Sequence, residues 1–60
     1  MNKDQMRKNI KFKMDACVAN LNYINSKRDN NQISDDDYRT AYANLKDSYD
    51  TLEIELEKLK

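Results

Sequence analysis

The sequence predicts an all-α protein: two helices of similar length folded back on each other as an antiparallel, coiled-coil-like hairpin. Three observations carry that prediction. Glycine and proline are absent from all 60 residues; tight β-turns and phosphate-cradling loops lose their usual residues, whereas long helices need neither. The densest cluster of turn-prone residues, DNNQIS at 29–34, lies at the middle of the chain, where a single connection belongs. On both sides of it, apolar residues recur at alternating spacings of three and four, the period of a helix that buries one stripe.

The first helix is expected over about 4–29. Ile10, Met14, Cys17, Leu21 and Ile24 form its seam, with Met6 and Val18 beside it. In the turn, 30–34, Asn30 or Asn31 is suited to the left-handed conformation that ends a helix. The second helix is expected over about 35–59. Ser34 is its N-cap and Asp37 stands three residues on, a shorter relative of the capping-box glutamate. Ile33 and Tyr38 have the spacing of a hydrophobic staple, and Asp35, Asp36 and Asp37 fill the first turn, where the helix dipole favours negative charge. Tyr42, Tyr49 and Leu56 then occupy one heptad position and Tyr38, Leu45, Leu52 and Leu59 the other. Ala41 and Ser48 flank this seam and permit close approach, while Ile54 lies off it. Each helix is about 38 Å long at 1.5 Å per residue, and folding at the turn brings Ile24 near Tyr38 and Ile10 near Leu52.

The chain, 1–60, is read as one domain, and domains of this size bury too little surface to be firmly stable alone. A single cysteine allows no internal disulfide, and there is no histidine. Oligomerisation is the remaining route to a larger core, so a homodimer forming a four-helix bundle is expected. Charge supports the pairing of the helices: residues 1–29 carry seven basic and three acidic side chains, net +4, and residues 30–60 carry four basic and eight acidic, net −4.

Site chemistry is sparse. NNQISDDDY resembles the second half of an EF-hand loop. That register puts Ser26 and Arg28 at the first and third ligand positions, where oxygen donors are needed, and Asn31 in place of the glycine. A helix cap accounts for every residue of the stretch, so no metal site is expected. Cys17 has no histidine to activate it and sits in the seam; the carboxylates lie on exposed positions. No enzyme activity and no cofactor are expected. The longest aliphatic run, ACVA at 16–19, is far too short for a membrane span or signal segment. A free cysteine at a core position fits a reducing, cytoplasmic compartment.

One feature of helix 1 is not absorbed by a hairpin. Phe12, Ala16, Ala19 and Tyr23, at spacings of four, three and four, form a second apolar stripe about 150° from the seam. Lys8 borders it, with Gln5, Asn9, Asn20 and Lys27. The stripe is either a homodimer contact, a surface for another protein with Phe12 and Tyr23 as anchors, or ordinary surface apolarity. The partner-binding residues expected are Lys8, Phe12, Ala16, Ala19 and Tyr23. The function expected is that of a small non-enzymatic regulatory or inhibitory protein that occludes a larger protein partner. Eight asparagines and eight lysines accord with an AT-rich coding sequence, such as phages and mobile elements use for inhibitors of host defence nucleases. The alternatives are a Rop-like RNA-binding hairpin dimer or a purely structural oligomerisation segment. Lys3, Arg7, Lys8, Lys11 and Lys13 around Phe12 favour the nucleic-acid reading. Zero net charge and the acidic Glu53, Glu55 and Glu57 opposite them weigh against it.

Overall fold

Two helices, α1 (Lys3–Asp29) and α2 (Asp35–Glu57), pack against each other along their length. The computed structural model describes residues 2–59, and all regular structure among them is helical.

Each helix end follows from local chemistry. Asn2 has extended backbone (φ −85°, ψ 161°), and its side-chain oxygen accepts from the Gln5 N–H at 2.8 Å. This cap starts α1 one residue earlier than the apolar pattern suggests. The signal is the Asn-x-x-Gln spacing of residues 2–5, a relative of the capping box. At the other end Asn31 takes φ 57°. The Gln32 N–H donates to the Lys27 carbonyl at 2.8 Å and the Asn31 N–H to that of Arg28 at 3.1 Å. These are the two bonds of a Schellman ending, with asparagine in the left-handed position that glycine usually fills.

Ser34 caps α2 as its sequence indicates: the hydroxyl accepts from the Asp37 N–H at 3.1 Å. The helix closes at Glu57, two residues before the heptad pattern runs out. There the Leu59 N–H turns back to the Leu56 carbonyl at 3.1 Å, a tightened last turn. No basic side chain of α2 lies in its last turn. Arg7 of α1 supplies one instead, donating from Nη2 to the Leu59 carbonyl at 2.9 Å while Nη1 meets Asp4 at 2.6 Å. A cation is thus delivered to the negative end of α2 across the open end of the hairpin. At the loop end the Tyr38 hydroxyl donates to the Asn25 side-chain oxygen.

The core is a single line. Ile10, Cys17 and Ile24 are buried to 8–9 % exposure, Met14 and Leu21 between them are half-buried, and no residue of α2 is buried. The ion pairs seen among the described residues, Arg7–Asp4 and Lys46–Asp50, each lie within one helix. The molecule is a rod, 44 × 14 × 14 Å, with a radius of gyration of 14.0 Å, against about 10 Å for a compact globule of this length. Among the described residues no helix is long and apolar enough to cross a membrane.

Candidate functional site

The outer face of α1 is built by helical spacing alone. Phe12, Ala16, Ala19 and Tyr23 are all solvent-exposed, and Phe12 and Tyr23 keep 76 % and 59 % of their surface in water. Lys8, one turn before Phe12, is exposed as well. The five residues therefore share one side of a continuous helix, and that side is turned away from α2. Small side chains separate the two rings, so a partner can approach the α1 backbone between them.

The electrostatics of the stripe are those of an apolar strip with a cationic border. Lys27 Nζ lies over the Tyr23 ring, 5.0 Å from its centroid, a cation–π contact that shields part of the ring. Lys8 lies one turn before Phe12 and Lys11 and Lys13 adjoin it in the chain; none of the three forms an ion pair among the described residues. The acidic end of α2 thus leaves these ammonium groups available to another molecule.

Three features were not anticipated from the residues. Arg28 stacks over the Tyr38 ring at 4.8 Å, and Tyr38 lies against Tyr42 with ring centroids 6.0 Å apart. Met6 and Val18, expected beside the seam, remain more than a third exposed, whereas Ile54 stands on the solvent side of α2 as its place off the seam indicates. Finally, Met6, Ile10, Glu55, Lys58 and Leu59 line a shallow concavity of about 380 Å³ at the open end of the hairpin. Heptad spacing hints at Met6 and Leu59, but nothing local reveals that the two helices fail to close over them.

For covalent or metal chemistry the arrangement offers little. The Cys17 thiol is inside the seam. The Ser34 hydroxyl and the Asp37 N–H are engaged in the α2 cap. Among the described residues no group of three or more Cys, Asp or Glu side chains converges. The chain matches no protein-family model, no curated protein and no solved structure.

Proposed function

We propose that the protein is a non-enzymatic binding module: a dimer of hairpins packed as a four-helix bundle, which regulates or inhibits a larger protein by covering part of its surface. The observation that carries the binding role is the pair of exposed rings, Phe12 and Tyr23, on the face of α1 that the hairpin leaves uncovered. Large aromatic side chains on a rigid helix are the residues that anchor protein interfaces. Lys8 and Lys11, unpaired among the described residues, suit a partner surface with acidic groups around an apolar pocket, which they would steer and orient. The dimer is supported by the thin core, in which α2 buries nothing fully. An inhibitor of a defence nuclease, encoded by a phage or mobile element and acting in the cytoplasm, is one specific form of this role; the Asn- and Lys-rich composition accords with an AT-rich coding sequence.

The test is a pair of substitutions, Phe12→Ser and Tyr23→Ser, made singly and together. Each is assayed by circular dichroism, by sedimentation and by affinity capture from the native host, with both protein and RNA analysed. Because both rings are exposed, helicity and mass are expected to persist while capture of a single protein partner is lost, most strongly for Phe12→Ser. Capture of that protein undiminished by the double change would remove the stripe from the interface. Enrichment of RNA in place of protein would replace this reading with the nucleic-acid one.

A further inference from the structure

The hairpin has two flanks beside its seam, and they differ. Met6, Lys13, Asn20 and Lys27 recur every seven residues along one edge of α1. Ala41, Ser48 and Glu55 do so along one edge of α2. Met6 and Glu55 line the same concavity, so these edges lie on the same flank. On α2 this flank is made mainly of small side chains, and a second shallow concavity, lined by Asp47, Ser48, Thr51 and Leu52, opens beside them. The opposite flank of α2 carries Arg39, Lys46 and Glu53, three long charged side chains where this flank of α2 has one, Glu55.

The area left open matches one further hairpin. A compact monomer of 7.2 kDa exposes roughly 4,100 Å², whereas this chain exposes 4,810 Å². The difference, about 700 Å², is close to the roughly 800 Å² that each partner buries in a standard interface. Two identical flanks stack on each other about a two-fold axis in only two ways. If the axis runs across the helices, α1 lies on α1 of the second copy and the loops sit at opposite ends. If it runs along them, α1 lies on α2 of the second copy and the loops sit at the same end. Adjacent helices are antiparallel in both, so the helix dipoles do not choose between them.

Charge does. Within its helical span α1 carries seven basic and three acidic side chains, and α2 two basic and eight acidic. The crosswise axis sets two cationic helices side by side and two anionic ones beside them. The lengthwise axis sets each cationic helix against an anionic one and brings the basic start of α1 to the acidic end of the second copy's α2. Like charges along a helix interface disfavour a pairing and unlike charges select it. Resting on the dimer proposed above, we infer that a second copy of this chain covers the Met6–Ala41–Ser48 flank with α1 on α2 and both loops at one end. By helical spacing Phe12 lies farther round α1 from this flank than Tyr23, whose ring is met by Lys27 of the flank itself.

The closing experiment places a spin label in the loop, at Gln32→Cys in a Cys17→Ala background, after circular dichroism and sedimentation have matched the variant to the parent. With both loops at one end, the inter-label distance in the dimer is expected within about 25 Å, since packed helix layers are 8–10 Å apart. A dimer with labels separated by nearly the 44 Å length of the rod would overturn the arrangement and leave the dimer standing. A monomer would instead overturn the dimer itself. The unaltered protein gives an independent answer. Between about 50 mM and about 500 mM salt its dissociation constant should rise several-fold, because attraction between unlike helices is screened. A dimer that tightens with salt would point to like helices in contact.

Discussion

The two helices of this hairpin are unequal partners. The heptad of α2 is the more regular of the two, yet α2 buries no residue, while α1 sinks Ile10, Cys17 and Ile24. Where the bulk of each side chain sits contributes to the difference: β-branched Ile and short Cys hold their atoms close to the α1 backbone. The α1 seam alternates compact Ile and Cys with Met and Leu, and the compact residues lie under the neighbouring helix. The α2 seam is built from three tyrosines and four leucines. These reach across α1 but leave their outer parts in water, where the tyrosine hydroxyls can stay solvated. A regular apolar stripe therefore measures how much a helix can bury, and the number of neighbours decides how much it does bury.

This inequality can be broken by substitution. Ile24→Ala in α1 is expected to cost about 2–3 kcal/mol, because a buried side chain leaves a cavity. Leu45→Ala at a half-buried seam position of α2 should cost roughly 1 kcal/mol, because much of that side chain is already in water. Thermal or urea unfolding of the two variants gives the ratio. Equal losses would mean that the two seams are buried alike in solution. Ser34→Ala should cost on the order of 1 kcal/mol. It acts on α2 alone, so hydrogen exchange should quicken first at Asp36, Asp37 and Tyr38; exchange that quickens in α1 instead would separate the cap from α2. The smallest effect concerns the end of α1. Asn31→Gly is expected to change stability by no more than about 0.5 kcal/mol, since glycine suits positive φ but is freer when unfolded. Asn31→Val should destabilise by at least about 1 kcal/mol. Unfolding midpoints that rank valine with glycine would show that the left-handed turn is not kept.

What was legible in the residues divides along physical range. The α2 cap at Ser34, the left-handed Asn31 and the 3–4 seams are local or periodic signals, and they predict an all-helical hairpin without knowledge of distant contacts. The α1 cap was legible too, in Asn2 and Gln5, but lies before the apolar pattern begins. Features that depend on how two helices meet were not. Arg7 bonding to the Leu59 carbonyl joins residues 52 apart. The opposite net charges speak for pairing the helices, but which groups come close is not legible in them: the ion pairs seen among the described residues lie within each helix, where residues three or four apart are neighbours on one surface. The outer stripe was visible as spacing. Its exposure depends on the absence of a second neighbour beside α1 in the hairpin.

The central claim is that one hairpin is half of a core. It is tested most directly by sedimentation equilibrium at micromolar concentration, combined with melting over a hundred-fold range of concentration. The account predicts a mass twice 7.2 kDa and a melting temperature that rises with concentration, because association stabilises the folded state by mass action. A 7.2 kDa species that melts cooperatively at one temperature throughout would contradict it.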